Sequence, residues 1–482
     1  MIAVKRCVSS RLAWCLASLV LVAAACAPSW AGRAWNNPAE GRWWGLIELH
    51  ERPQRVSLEL RRSTGGVWEG YIDLIRTVDR RVPLRDVELR GDELSFTFVL
   101  TGARRMQFRG VIDDGVLEGD VVSEGSTEAG RLRAALEVPR RPRVQEPVGP
   151  VPYDVRDVLV EADGVALPGT LTLPSVTPDE GVSGVVLLAA PNALGRDQEG
   201  AGHKPFLVLA DRLTRAGFAV LRYDDRTMYT AGLGDVEEVF ADARSAVRQL
   251  RAVPEVRPDR VGVIALGEGA LIAMRLLSDR DVELSYAVLL NPPGLRGIDL
   301  KPRQIARELL SVGTPVTFSQ QYLEREMGAL QAVLDNDRGR LREQLLRLMA
   351  LRSGDQREEV PDGEARYGFM ADLELPRYDN PWYRYYLGTD PAALLQQARR
   401  PVLLLHGMLD QTHIAEDNVP PLQEALKRST SGYYAVELMP SINHRLQTAN
   451  SGARGEVGLL EETVSEGLMR RIIDWIPTAF DR

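Results

Sequence analysis

The sequence predicts an α/β fold: a doubly wound, mostly parallel sheet with a helical insertion, preceded by a small antiparallel β domain. Three patterns predict it. From Trp35 to about Leu136 the apolar residues recur with period two. From Gly184 onward, apolar β-branched runs alternate with amphipathic helical stretches. Arg260–Ala273 passes from a strand through a sharp turn of small residues directly into a helix. The 482 residues exceed one ordinary core, and 44% hydrophobic with 26% charged residues is a globular composition. A net charge of −8 argues against a nucleic-acid surface.

The chain opens on Lys5, Arg6 and Arg11, followed by an apolar run from Leu12 to Ala25 and then small residues. That order predicts an export signal over residues 1–31, too short for a comfortable membrane span. Ala23-Ala24-Ala25-Cys26 resembles a bacterial lipobox, which would make Cys26 a lipid anchor, while Ser29-Trp30-Ala31 suits an ordinary signal peptidase. The expected location is therefore periplasmic, outer-membrane-anchored or secreted. The cysteines, Cys7, Cys15 and Cys26, all fall in this segment, so the folded part would hold neither a disulfide nor a thiol nucleophile.

Residues 33–138 are expected to form the antiparallel domain. Val56, Leu58 and Leu60 alternate with polar partners, as do Leu94, Phe96, Phe98 and Leu100, so each strand buries one face. The triplets Trp68-Glu69-Gly70, Phe108-Arg109-Gly110 and Leu117-Glu118-Gly119 suggest glycine turns at strand ends. Trp43, Trp44 and Trp68 belong to its core or, on a weaker reading, to a binding face. Prolines at 139, 142, 147, 150 and 152 then mark a linker over residues 139–152.

Residues 153–482 carry the repeated β-α units. Buried strands are expected at Gly184–Ala190, Ala219–Tyr223, Tyr286–Asn291, Pro401–Gly407 and Tyr434–Leu438, with helices at Lys204–Gly217, Val236–Arg251 and Glu462–Ile476. Between residues 296 and 390 the alternation gives way to charged helices, most simply a lid over the carboxyl edge of the sheet. Tyr383, Tyr385 and Tyr386 line its pocket or pack together.

The strand–turn–helix at 260–273 has the shape of a nucleophile elbow, Gly-x-Ser-x-Gly, whose three marked positions are Ala265, Gly267 and Gly269. With Gly164–Pro174, Arg196-Asp197, Gly202–Phe206, Leu209–Leu213 and Arg222-Tyr223-Asp224-Asp225-Arg226, it resembles the α/β-hydrolase superfamily, and within it the bacterial exported serine aminopeptidases and acyl esterases. The resemblance covers Val151 to the end. It implies hydrolysis of ester or peptide bonds by a triad in the chain order nucleophile, acid, histidine. The acid would fall on Asp410 and the base on His444, with the Glu268 backbone N–H as an oxyanion donor.

The chain departs from that pattern where the chemistry is made. Gly267 stands where serine is expected, Ala190–Gly195 replaces a glycine-rich oxyanion loop, and Thr227 replaces a glycine. Thr227, Thr230 and Thr412 are weak candidates for a substitute hydroxyl, and water activated by His444 is a less contrived rescue. The expectation is a degenerate hydrolase that binds a small-molecule or peptide ligand, with active hydrolysis as the alternative. No cofactor is implied, and no metal-ligand spacing is visible among His50, His203, His406, His413 and His444.

Overall fold

A computed structural model describes residues 39–480, apart from 50–51, 63–66, 75–81, 101–103, 114, 124–128, 137–142, 192–193, 231, 312–314, 353–362 and 454–455. The export signal, Cys26 and His50 lie outside the described residues, as do Asn192 and Ala193 of the first loop. The chain divides into two compact units, residues 1–139 and 140–482. No helix among the described residues is long and apolar enough to cross a membrane.

In the first unit, nine strands form one antiparallel sheet: β1 (Gly41–Leu49), β2 (Arg52–Arg62), β3 (Trp68–Leu74), β4 (Val82–Pro83), β5 (Arg85–Arg90), β6 (Glu93–Leu100), β7 (Arg104–Asp113), β8 (Val116–Ser123) and β9 (Ala129–Leu136). Their order is β4, β3, β2, β1, β9, β8, β7, β6, β5. The two ends of that order are joined through Leu84 alone, whose N–H donates to the Gly70 carbonyl, so the sheet curls back on itself. The period-two residues point inward as expected: Val56, Leu58, Leu60, Leu94, Phe96, Phe98 and Leu100 are all buried. Trp43 joins them, its Nε1 donating to the Ala39 carbonyl at 3.1 Å, whereas Trp44, one residue on, is 45% exposed on the outer face. Trp68 packs on the rim of this core.

The glycines of the triplets are not turns: Gly70, Gly110 and Gly119 are all paired within strands. Gly110 and Gly119 pair with each other in the middle of β7 and β8, where a Cβ on Gly110 would stand 2.4 Å from the Glu118 carbonyl oxygen. Glycine serves here to let two strands of a tightly curled sheet approach, a role indistinguishable from a turn in a three-residue pattern. Among the described residues, glycine turns sit instead at Gly91 and Gly115, both at positive φ.

The second unit holds an eight-stranded sheet: β10 (Tyr153–Ala162), β11 (Val165–Pro174), β12 (Val182–Leu188), β13 (Ala219–Tyr223), β14 (Val256–Leu266), β15 (Ala287–Leu290), β16 (Val402–Leu409) and β17 (Tyr434–Asn443). They run in the order β10, β11, β13, β12, β14, β15, β16, β17. All pair parallel from β13 onward, and only β11 runs against the rest. Strand residues alternate between two cores. Val186, Leu188, Val263, Ala265, Leu289 and Leu404 face α2 (Glu237–Arg251) and α3 (Ala270–Ser278). Val185, Leu187, Ile264, Val288, Leu403 and Leu405 face α1 (Pro205–Arg215) and the C-terminal helix Glu466–Thr478. That two-sided burial explains the unbroken apolar runs. β17 extends five residues beyond the expected strand and includes Pro440, which an edge strand tolerates because one side needs no N–H.

The inner strand β14 carries Gly262 against the face of Tyr286, whose hydroxyl donates to the Gly184 carbonyl at 3.0 Å. A Cβ at 262 would lie 2.5 Å from ring carbons. Gly262→Ala is expected to destabilise the second unit by about 1–3 kcal/mol through overpacking, measured as a lowered urea midpoint. A midpoint equal to wild type would show that the ring moves freely.

Residues 143–152 are tied to the second unit. Gln145 Oε1 accepts the backbone N–H groups of Thr463 and Val464 at 2.6 and 2.9 Å, and Arg143 donates to the Gly458 carbonyl at 2.7 Å. Between β15 and β16 the chain inserts the helices Gly297–Ser311, Val316–Leu334, Arg338–Arg352, Gly363–Tyr378 and Pro381–Gly388. Their apolar faces, including Leu330, Leu341, Leu345 and Leu348, continue the core on the α2 and α3 side.

Candidate active site

Four chain segments converge at the carboxyl edge of the second sheet, the place where open α/β sheets bind ligands. They follow β12, β14, β16 and β17, and they carry the first loop, Gly267, Asp410 and His444 respectively.

The elbow exists. After β14 the chain turns at Gly267, where φ is +56°, through a single 3-10 turn over Gly267–Gly269 and into α3. A nucleophilic serine would bear steric strain in this left-handed conformation, and glycine bears none. Gly269 is small for a different reason: a Cβ there would stand 2.7 Å from Ala189 Cα, just past the end of the adjacent strand β12.

Asp410 and His444 meet. The His444 Nδ1 lies 2.8 Å from Asp410 Oδ2, across 34 residues of sequence. Asp410 is 2% exposed, and its other oxygen accepts the N–H groups of Thr412 and His413 at 2.7 and 2.8 Å. Burial pushes this carboxyl up, but His444 and the His413 backbone N–H outweigh it and hold the group below the ordinary carboxylate range. The opposite side of the His444 ring faces Gly267: an added Cβ would find Cε1 at 3.4 Å and Nε2 at 3.5 Å, and no other described atom within 4 Å. The His444 ring thus faces the space that a side chain at position 267 would enter.

Glu268 and the first loop flank the same turn. The Glu268 carboxylate turns away to accept from Trp382 Nε1 at 3.4 Å, leaving its backbone N–H at the head of the elbow turn. In the first loop, Pro191 has no N–H to give. Two of the three candidate hydroxyls are engaged elsewhere, and the third candidate, Thr412, gives its backbone N–H to Asp410. Thr227 donates to Asp225, and Thr230 to the carbonyls of Arg226 and Gly232, so both close their own turn. The tyrosines pack together: Tyr383 and Tyr386 stack at 6.2 Å, and Lys301 lies over the Tyr386 ring.

Two residues that hold the site went unnoticed in the sequence. Asn291, directly after β15 at φ +50°, is buried and binds three segments. Its Nδ2 donates to the carbonyls of Asn443 and His444 at 3.0 and 3.2 Å, and its Oδ1 accepts the Gly407 N–H at 2.7 Å. His413 places Nδ1 2.8 Å from the Asn291 carbonyl. Burial, with His444 nearby, pushes the His413 imidazole down to about 3, so it stays neutral. An asparagine closing a buried run, where left-handed backbone can end a strand, was the available signal for the first. A lone loop histidine offers none.

The charged residues after β12 and around the end of β13 form a cross-tie. Arg196 holds Asp224 through both guanidinium and backbone, and Arg222 pairs with Asp197, so the first loop is pinned to the end of β13. Buried Arg226 pairs likewise with Asp242 of α2. His203 binds Thr463 and the Val457 carbonyl and is structural.

No family model matches the chain, and no curated protein does. Among solved structures, an esterase of Pyrococcus furiosus is 15% identical with a TM-score of 0.41, covering 69% of this chain and 96% of its own. Est1E of Butyrivibrio proteoclasticus is 14% identical with a TM-score of 0.36, covering 68% and 99%. A hypothetical protein of Pseudomonas aeruginosa is 13% identical with a TM-score of 0.42, covering 71% and 99%. Likeness this distant carries no function across.

Proposed function

We propose that the protein is an exported α/β-hydrolase relative that has lost its nucleophile and binds a carbonyl or carboxylate ligand at the old active site without appreciable turnover. The observation that supports this most directly is the paired His444 and Asp410 aimed at a glycine. Carboxylate and imidazole alone orient and accept a proton, but acyl transfer needs an atom to attack with, and loss of one triad member can cost about 10⁶ in turnover. The elbow N–H groups at the start of α3 still favour a negatively polarised oxygen. On this reading the helical insertion is the lid, with the Trp382 contact to Glu268 joining it to the elbow.

The open space beside His444 Nε2 favours one rival, a water held there and activated by the imidazole. A single assay separates them. Purified mature protein is expected to hydrolyse short p-nitrophenyl esters no faster than buffer. Clear turnover that disappears in His444→Ala would sink the first reading and establish the second.

A further inference from the structure

We propose that Asp410, His413 and His444 form a binding site for a divalent transition-metal ion of the zinc class. Each of the three residues offers one ligating atom, and these atoms lie within 4.8 Å of one another. The independent observation is on His413. Its Nδ1 faces the Asn291 carbonyl at 2.8 Å, and a carbonyl only accepts, so Nδ1 carries the ring proton and Nε2 is left with a bare lone pair. That Nε2 is buried in a residue 1% exposed and has no hydrogen-bond partner among the described residues. A buried acceptor left unpaired is costly and calls for a reason.

A carbonyl on one imidazole nitrogen is the usual device for fixing a metal-ligating histidine with the other nitrogen exposed to the ion. Asp410 is prepared in the same manner. Its Oδ1 is held by two backbone N–H groups, which leaves Oδ2, now the partner of His444 Nδ1 at 2.8 Å, as the oxygen that would ligate the ion. Two imidazoles and one carboxylate make a set that zinc accepts while keeping a coordination position open. Bonds of about 2.0–2.2 Å require the three atoms to draw together slightly from their present spacing. His444 has the freedom to do this, because its side chain is the most exposed of the three. In joining the ion it gives up its hydrogen bond to Asp410, so metal binding and action as a base exclude each other.

The inference does not depend on the proposed function, since it concerns binding and holds whether or not the protein turns over. The test uses untagged mature protein stripped with a chelator and then freed of it, titrated with Co²⁺ by visible absorption and with Zn²⁺ by calorimetry. One equivalent is expected, with a cobalt spectrum of low coordination number. His413→Gln is expected to weaken binding by about 100-fold or more, since even outer-shell partners are worth about 10–100-fold. Should His413→Gln fail to fold, Asp410→Asn and His444→Gln carry the same expectation, with circular dichroism reporting the fold. Absence of stoichiometric binding by folded wild-type protein, or binding unaffected by these substitutions, would overturn the proposal and leave a bound water as the partner of His413.

Discussion

Replacing Gly267 by serine is expected to produce a His444-dependent esterase. The elbow turn, the base and its carboxylate are already in place, and an added Cβ would sit 3.4 Å from the imidazole, an ordinary contact that brings a serine oxygen within reach of Nε2. A gain of at least about 10²-fold in p-nitrophenyl ester hydrolysis is expected, well short of the 10⁶ that a complete triad can contribute, because Pro191 leaves the oxyanion hole short of a donor. The gain should vanish in Gly267→Ser/His444→Ala. It should also come with a loss of about 1–3 kcal/mol in stability, because serine at φ +56° is strained where glycine is not. A folded Gly267→Ser protein without activity would show that a serine beside His444 and Asp410 does not suffice for turnover in this site.

The second large effect is expected at Asn291. Asn291→Leu keeps much of the shape and removes the amide, leaving the Gly407 N–H and the carbonyls of Asn443 and His444 without their partner. Buried groups so abandoned cost about 1–3 kcal/mol each, and a branched residue at φ +50° adds strain. A loss of about 4 kcal/mol or more is expected, measured by urea unfolding. In the Gly267→Ser background the same change should abolish the acquired activity even below the unfolding midpoint, since Asn291 holds the backbone of His444. A loss under about 1 kcal/mol would mean that the three segments keep their places without it.

These two positions mark what the sequence could and could not disclose. The second sheet was legible because its strands are buried on both faces, which leaves unmistakable apolar runs at Val182–Leu188 and Val402–Leu409. Gly267, Asp410 and His444 were legible through their order after successive strands, and they do converge. Asn291 and His413 act through backbone groups of distant segments, and a hydrogen bond to a carbonyl imposes no pattern on the partner's sequence. The same holds for the exchange of partners among Arg196, Asp197, Arg222 and Asp224: the residues stood out, but the pairing did not. The glycine triplets misled because a glycine that permits close strand approach and one that permits a turn are the same letter. The proposed metal-ligand set leaves no mark in the sequence because Asp410 and His444 stand 34 residues apart on two loops, outside any local spacing rule.

The first and last strands of the first unit's sheet lie side by side. β1 pairs with both β2 and β9, and in the latter pairing Trp43 lies opposite Leu136, so the entering and leaving chain are separated by a single strand spacing of about 5 Å. A domain with adjoining ends behaves as a cassette: it can be excised, transplanted into a surface loop of another host, or reopened at a different hairpin with its old ends joined by a short bridge. Evolution can add or discard such a piece without redesigning what it is attached to.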